Sequence, residues 1–344
     1  MAYKYTTGVY IGRFQPMHIA HLETLTKALE SCQTIIIVIG SFNKARTIKN
    51  PFSAEERKQQ ITQAVIDANL PIERISFVFS RDYMYNDYKW ASEIYTRCLV
   101  AGATPNHKTA LWGCMKDDSS YYLKMFPQWD FNKMPYLYSL DATSIRKELY
   151  ETQDLGTLKD SVPPNISTSL CTEWITSIEY ANLVKEYSFL QRHDKLWEKA
   201  PYKPTFVTVD ALVIKSGCVL LIRRLTEPGK GLYALPGGYL NPDELITQGM
   251  LRELKEETKI AVPKPVLESN IKDTQVFDHP KRSPRGRIIT HAHLIDLGYG
   301  PLPNVTPGSD AKEAEWVPMA DVFTLEKEFF EDHFDIIVNL TSKY

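Results

Sequence analysis

The sequence predicts a doubly wound α/β domain followed by an α+β domain built on a mixed sheet, and three observations carry that prediction. At 344 residues the chain exceeds what one hydrophobic core usually organises, which favours two domains. Between Thr7 and about Glu151, short apolar runs alternate with helix-length amphipathic stretches, the pattern of a parallel sheet covered on both faces. Past a Pro-containing segment the pattern changes to paired strands, one helix, and further strands set off by Pro/Gly-rich loops.

Taken in order, the spacing predicts strands near Gly8–Ile11, Ile35–Ile39, Ile75–Phe79, Lys108–Leu111 and Tyr136–Leu140. Ser53-Ala54-Glu55-Glu56 has capping-box spacing and opens a helix that runs to about Ala68. Pro163-Pro164 ends the alternation, and an amphipathic stretch from about Ser169 to Leu196 predicts the helix that finishes the domain. The run KAPYKP, Lys199 to Pro204, reads as the linker, so the domains are placed at 1–198 and 199–344. Phe206–Lys215 and Val219–Arg224 predict two strands joined at Ser216-Gly217, a hairpin signal. One helix follows, from about Glu244 to Lys259.

A formal charge of -2 offers no general polyanion-binding surface, so nucleic acid is not an expected partner and phosphate binding must come from local sites. Five cysteines (Cys32, Cys98, Cys114, Cys171 and Cys218) are scattered and form no C-x-x-C pair, which suits a reducing cytoplasm. The N-terminus lacks a signal-peptide apolar region, and the longest aliphatic run, Ile35 to Ile39, cannot span a bilayer. A soluble, cytoplasmic chain without membrane partners is expected, and association into a homo-oligomer is left open.

Gly12-Arg13-Phe14-Gln15-Pro16-Met17-His18-Ile19-Ala20-His21 sits where the first strand hands over to the first helix. Unpaired backbone N–H groups and the positive end of the helix dipole make such a junction an anion site. Gly12 would let the backbone approach a phosphate closely, and His18 and His21, three apart, would project from one face of the opening turn. A loop with two surface histidines is the plainer alternative for an isolated H-x-x-H. The segment as a whole resembles the H-x-G-H signature of the nucleotidyltransferase superfamily, with Ala20 in place of the glycine. Its GRFQP-x-H is most similar to the nicotinamide-mononucleotide adenylyltransferases of the archaeal type.

That resemblance implies a Rossmann-like nucleotidyltransferase domain that binds nucleotide through Gly12, Arg13 and Phe14. It extends to Asn43–Arg57, NKARTIKNPFSAEER, where it implies that Lys44, Arg46 and Lys49 lie near phosphates. Trp90, in Asp87-Tyr-Lys-Trp90, would pack on the nicotinamide ring, against the alternative of a core tryptophan. Asp141-Ala-Thr-Ser-Ile-Arg146 resembles the family's S-x-T-x-x-R element. Thr143 and Arg146 match it, Asp141 departs from the serine, and Ser144 binds substrate or serves only as a helix cap. The implied reaction is attack of nicotinamide mononucleotide on the α-phosphorus of ATP, giving NAD and pyrophosphate. His18, His21, Arg146 and Mg2+ would stabilise charge on the transferred group.

In the second half, Gly238, Glu244, Arg252, Glu253, Glu256 and Glu257 satisfy G-x5-E-x7-R-E-U-x-E-E, with Leu254 at the aliphatic position. On a helix Glu253, Glu256 and Glu257 share one face, where like charges cost roughly 0.2–0.5 kcal/mol per pair but supply hard oxygen ligands for Mg2+ or Mn2+. Gly249, one turn earlier, would leave that face open for substrate, and a solvated acidic helix is the alternative. The spacing, after Leu235-Pro-Gly-Gly238, resembles the Nudix family. This implies an α+β Nudix domain with a mixed sheet, a metal held by Glu253, Glu256 and Glu257, and Glu244 oriented by Arg252. The consensus glycine after the helix is Lys259 here, a lysine that costs about 1 kcal/mol if its φ must be positive.

Phe277–Arg287 is similar to a loop of Nudix domains fused to this adenylyltransferase and of ADP-ribose-binding regulators. It implies a diphosphate held by Arg282, Arg285 and Arg287 with Arg223 and Arg224, and ADP-ribose as the substrate, cleaved to AMP and ribose 5-phosphate. An exposed basic loop is the competing interpretation. Glu313 and Glu315, in a late loop, are equal candidates for deprotonating the water. Together the motifs indicate a bifunctional enzyme of NAD metabolism whose partners are ATP, nicotinamide mononucleotide, NAD and ADP-ribose. Two alternatives remain: a catalytically silent ADP-ribose sensor in the second half, or a cytidylyl or pantetheine-phosphate transferase in the first.

Overall fold

The structure, a computed structural model, describes residues 3–115, 118–135, 141–308 and 310–343. It divides into two compact units, Met1–Val184 and Lys185–Tyr344.

In the first unit β1 (Tyr5–Gly12), β2 (Cys32–Ile39), β3 (Ile75–Phe79), β4 (Thr109–Gly113) and β5 (Asp130–Lys133) form one sheet in the order β3-β2-β1-β4-β5. Every neighbouring pair is parallel. Helices α1 (Ile19–Ser31), α2 (Ala54–Asp67), α3 (Asp87–Val100), α4 (Ala142–Thr152) and α5 (Pro164–Thr172) accompany it, and α6 (Ile178–Trp197) begins in the first unit and ends in the second. Burial on both faces explains the unbroken apolar run of β2: Ile36 and Val38 join Val9, Ile11 and Leu111 in one core, while Ile35, Ile37 and Ile39 are buried as well. Because the chain runs outward on opposite sides of β1, the carboxyl end of β1 lies at the switch point where open α/β sheets receive ligands.

Two sequence expectations change here. The expected strand Tyr136–Leu140 lies outside the described residues, and the fifth strand of the described sheet is Asp130–Lys133. That short, mostly exposed edge strand buries no alternating apolar face, so it carries no periodicity to read. Pro163-Pro164 also begins a helix, because a proline in the first turn removes only an N–H that has no intrahelical partner. The single helix expected over Ser169–Leu196 is two, broken between Thr172 and Ile178, where the Ser177 hydroxyl accepts the Tyr180 N–H at 3.1 Å. At α2 the Ser53–Glu56 capping box forms in both directions, at 3.2 and 2.7 Å.

The second unit holds β6 (Thr205–Lys215), β7 (Cys218–Arg224), β8 (Tyr233–Ala234), β9 (Gly237–Tyr239), β10 (Ile271–Phe277), β11 (Arg287–Asp296) and β12 (Ala311–Pro318). The sheet runs β10-β11-β6-β7-β12, with β8 on β7 and β9 on β6. It is mixed: β11 and β6 are parallel and the other pairs antiparallel. The β6–β7 hairpin turns through Ser216 and Gly217, at φ 49° and 76°, the paired positive values of a type I′ turn. Helices α7 (Ile246–Thr258), α8 (Lys264–Ser269), α9 (Met319–Val322) and α10 (His333–Thr341) complete it. Met250, Leu251 and Leu254 of α7 pack on Val209, Ala211 and Val213 of β6.

Lys259 ends α7 in the left-handed region, φ 44° and ψ 30°, so the helix stops where a glycine would stop it. The carbonyls of Glu257 and Thr258 then accept the N–H groups of Gly308 and Thr306, at 3.0 and 2.8 Å.

Candidate active sites

At the end of β1 the chain turns through Gly12–Met17, and His18 becomes the N-cap of α1. The His18 N–H donates to Nδ1 of His21 at 3.2 Å, which places the His21 ring proton on Nε2. The two rings stack with centroids 3.6 Å apart and 26° between planes, so the expected common face is realised. Phe14, at φ 52° and only 2% exposed, sets its ring edge-on to His21 at 4.9 Å. A Cβ on Gly12 would stand 2.7 Å from that ring, so in this fold glycine is required there by Phe14 as well as by any approaching phosphate. Arg13 is exposed beside them.

Two buried arginines hold this loop in shape. Arg57, unassigned from sequence, donates to the carbonyls of Arg13 at 2.7 Å, Gly40 at 2.6 Å and Ser53 at 3.1 Å. Arg146 was expected to reach a triphosphate; as placed it is 7% exposed and donates to the carbonyls of Gln15 at 2.6 Å and Ile48 at 3.1 Å. Burial lowers the pKa of each to about 10. What Arg57 offered the sequence reader was only its place after the capping box. A buried guanidinium whose partners are carbonyls leaves no motif.

The remaining expectations sort as follows. Arg46 is engaged by Glu56 at 2.7 Å and the Pro51 carbonyl at 2.6 Å, while Lys44 is half-buried and Lys49 exposed. Trp90 is half-buried at the margin of the core and packs edge-on to Tyr122 and Phe126, ring centroids 5.7 and 5.9 Å away. The cap of α4 is Asp141, whose carboxylate accepts the N–H groups of Thr143 at 2.7 Å and Ser144 at 2.9 Å. Ser144 is therefore not the cap, and the departure at Asp141 is a competent N-cap. Thr143 accepts from Arg146 at 3.3 Å.

In the second unit Arg252 organises the carboxylates of α7. Its guanidinium donates to both oxygens of Glu244, at 3.0 and 2.6 Å, to Glu253 at 2.7 Å, to Glu256 at 3.2 Å and to the Tyr239 carbonyl at 3.1 Å. Arg252 and the Asn241 N–H hold the Glu244 carboxyl down to about 2. Glu257 turns inward to accept the Gly237 N–H at 2.9 Å. Burial pushes its carboxyl up to about 8 against that hydrogen bond, and Glu253 and Asp210 add to the rise.

Two glycines acquire specific reasons. A Cβ on Gly238 would stand 2.6 Å from the Glu253 carboxylate, so glycine lets that acid lie against β9. Gly249 was expected to leave room for substrate, but its space is taken by Leu240, at 2.7 Å, and the Glu244 carboxylate, at 2.9 Å. Among the described residues no three acidic, histidine or cysteine groups stand close enough to grip a cation. The reason is visible: Arg252 draws Glu253 and Glu256, whereas Gly237 draws Glu257. The donor chemistry still suits a hard cation, since two of the three carboxyls are raised by burial and a positive ion is what would relieve them.

The basic loop is more structural than expected. Arg282 forms a bidentate pair with Asp332 at 2.9 and 2.8 Å, the two side chains only 2% and 0% exposed, so it presents nothing to a ligand. Arg285 pairs with Glu331 at 3.2 Å, Arg287 with Asp278, and Arg223 with Glu328 at 3.2 Å. Arg224 lies over the Phe330 ring at 4.1 Å and donates to the Pro228 carbonyl at 2.9 Å. Glu313 and Glu315 lie on β12, not in a loop, and Glu315 accepts the Tyr233 hydroxyl at 3.0 Å.

Comparison with known proteins agrees with this layout. The cytidylyltransferase-like family matches residues 9–171 and the NUDIX domain family residues 204–340. A nicotinamide/nicotinic acid mononucleotide adenylyltransferase of Acinetobacter baylyi is 38% identical over 189 residues, covering 54% of this chain and 95% of its own. An ADP-ribose pyrophosphatase of Methanocaldococcus jannaschii is 39% identical over 131 residues, 38% of this chain and 70% of its own. The solved structure of a bifunctional NMN adenylyltransferase/ADP ribose pyrophosphatase from Francisella tularensis, complexed with AMP and Mn ion, superimposes with a TM-score of 0.93. It is 36% identical, over 98% of this chain and 99% of that one.

Proposed function

The chain belongs to the family of bifunctional NMN adenylyltransferases/ADP-ribose pyrophosphatases, and from that premise we propose how its residues divide the two reactions. The observation that carries the proposal is the pairing of a stacked His18–His21 donor site at the switch point of one sheet with an Arg252-organised carboxylate face on α7.

In the first unit the 5′-phosphate of nicotinamide mononucleotide attacks the α-phosphorus of ATP; the bond to the bridging oxygen breaks and pyrophosphate leaves. No protein nucleophile is needed, so the residues act by holding two polyanions in line and donating hydrogen bonds to the transferred group. His21, protonated on Nε2, and His18 supply donors, and exposed Arg13 adds charge. Lys44, Lys49 and the helix start at Thr143 and Ser144 would meet the nucleotide's phosphates in this reading. Arg57 and Arg146 act as positioning residues, because each spends its guanidinium on loop carbonyls.

In the second unit Glu253, Glu256 and Glu257 would hold Mg2+ or Mn2+, after their side chains leave Arg252 and Gly237. When bound, such an ion neutralises the diphosphate and acidifies a water molecule. Arg252 keeps Glu244 ionised and fixes the helix against the Tyr239 carbonyl, while Arg224 and Arg285 favour the diphosphate charge. ADP-ribose is the proposed substrate, with AMP and ribose 5-phosphate as products. Lys259, the departure that admitted a silent sensor, keeps the left-handed helix stop, which supports the catalytic reading. A reducing, cytoplasmic setting belongs to the same proposal, since all five cysteines are free thiols.

The test is a product assay with both substrate sets, run on the wild-type chain and on His18→Ala and Glu256→Gln. NAD formation from ATP, and not from CTP, should vanish only in the first variant, and AMP release from ADP-ribose only in the second. Loss of both activities together, or of neither, would overturn the division.

A further inference from the structure

Five consecutive residues, Phe329 to His333, tie several parts of the second unit together. Phe329 bridges Tyr233 in parallel, and the Phe330 N–H donates to the Tyr233 carbonyl at 2.8 Å. Glu331 pairs with Arg285 and Asp332 with Arg282. Glu331 takes φ 47°, a left-handed value uncommon outside glycine and asparagine, and the two residues that follow this turn are buried: Asp332 is 0% exposed and His333 6%.

His333 opens α10, and its ring meets a residue 98 positions earlier: Nδ1 accepts the Leu235 N–H at 3.0 Å. Leu235 lies just past the end of β8, so its buried N–H takes its acceptor from the imidazole and not from a neighbouring strand. That bond defines the ring: Nδ1 is bare and the proton sits on Nε2, a neutral imidazole. Burial favours this form and lowers the pKa of His333; Arg282 acts in the same direction, while Asp210, Asp332 and Glu331 oppose it. Asp210 of β6 stands 4.0 Å from Nδ1, its other oxygen accepting the Thr290 hydroxyl. A charged His333 would carry a proton on Nδ1 and could no longer accept from Leu235, so the neutral ring is the one that holds the bond.

Leu235 begins the Leu235-Pro-Gly-Gly238 turn, whose backbone is held at three successive residues. His333 takes the Leu235 N–H, the Ala211 N–H donates to the Pro236 carbonyl at 2.9 Å, and Glu257 takes the Gly237 N–H at 2.9 Å. The last bond is the one that Glu257 gives up on turning to a metal ion, in the division of roles proposed above. Thereafter β6 holds the later residues of the turn and His333 the first. Glu253 rests against Gly238, so a shift of the turn displaces that acid along with the partner of Glu257.

We propose that His333 is a positioning residue for the metal-dependent reaction: it anchors the first N–H of the 235–238 turn and through the turn sets where Glu253 and Glu257 meet the cation. The inference rests on the pyrophosphatase reading of this half and extends it to a residue far outside the acidic helix.

The experiment compares wild type with His333→Phe, which keeps a ring but has no acceptor, and with His333→Asn, whose amide oxygen can stand near the place of Nδ1. Hydrogen–deuterium exchange of the full chain without metal should show the Leu235 amide exchanging about tenfold faster in His333→Phe, the size of one lost hydrogen bond, and near the wild-type rate in His333→Asn. The Mg2+ concentration giving half-maximal ADP-ribose cleavage should rise about tenfold in His333→Phe and return most of the way in His333→Asn. NAD formation should be equal in all three. Nitrogen-15 shifts of His333 in wild type at neutral pH should report a neutral ring protonated on Nε2, a readout that needs no variant. A proton on Nδ1, or unchanged Leu235 exchange in folded His333→Phe, would overturn the anchor. A His333→Phe chain that is less stable but keeps the wild-type Mg2+ requirement would overturn the positioning role. A wild type with the expected exchange and tautomer that never cleaves ADP-ribose would instead sink the pyrophosphatase reading.

Discussion

The backbone N–H of His18 donates to Nδ1 of His21 at 3.2 Å, and this one bond both closes the first turn of α1 and fixes the orientation of the His21 ring. The two rings stack with 3.6 Å between centroids, the arrangement on which the proposed donation to one phosphoryl group depends.

Replacing His18 by alanine should lower NAD formation by about 10²–10³-fold, the effect of removing one preorganised donor, with little change in stability. His21→Ala should lose a similar factor and also about 1 kcal/mol of stability, because it removes the acceptor that caps α1. Turnover measured beside chemical denaturation separates the two. Equal stability of both variants would deny the capping role.

Glu257 makes the second unit pH-sensitive. Its carboxyl lies near about 8 in the fold and near 4.5 when unfolded, so the folded chain holds the proton more tightly. Its contribution to stability is therefore full below about 4.5 and is lost as pH rises to about 8. Denaturation in a chelator across that window should show the decline in wild type and a flatter profile in Glu257→Gln. Divalent ions should bind more tightly as pH rises through the same window, releasing a proton.

Lys259→Gly should stabilise the second unit by up to about 1 kcal/mol, because a lysine at φ 44° bears a steric penalty that glycine avoids. Urea midpoints report it. A destabilised variant would mean that the lysine stem, which packs near Gly308, is worth more than the strain.

Arg282→Ala should cost about 3–5 kcal/mol by stranding buried Asp332, and should leave KM for ADP-ribose nearly unchanged in the folded fraction. An Arg282→Met/Asp332→Leu double variant should recover much of the loss. If KM rises in a chain of normal stability, Arg282 faces the ligand after all.

Much of the architecture was legible because it is written in local terms. The Ser53–Glu56 capping box, the Ser216-Gly217 turn and the spacing of Glu253, Glu256 and Glu257 each depend on residues within one turn or one hairpin. The edge strand Asp130–Lys133 and the helix opened by Pro164 were missed for the converse reason: neither has a buried periodic face, and a proline reads as a breaker until its position in the helix is known.

What the sequence alone determined, then, is the identity and order of the chemical groups: imidazoles at the end of β1, carboxylates along α7, and arginines in the loop before β11. Which arginine meets a ligand and which holds the fold was decided only in three dimensions. Arg282 closes on Asp332, Arg146 on the Gln15 carbonyl and Arg57 on that of Arg13, through contacts spanning 50, 131 and 44 residues. A guanidinium has the same five donors wherever it stands, and only burial beside a distant carboxylate or carbonyl commits them.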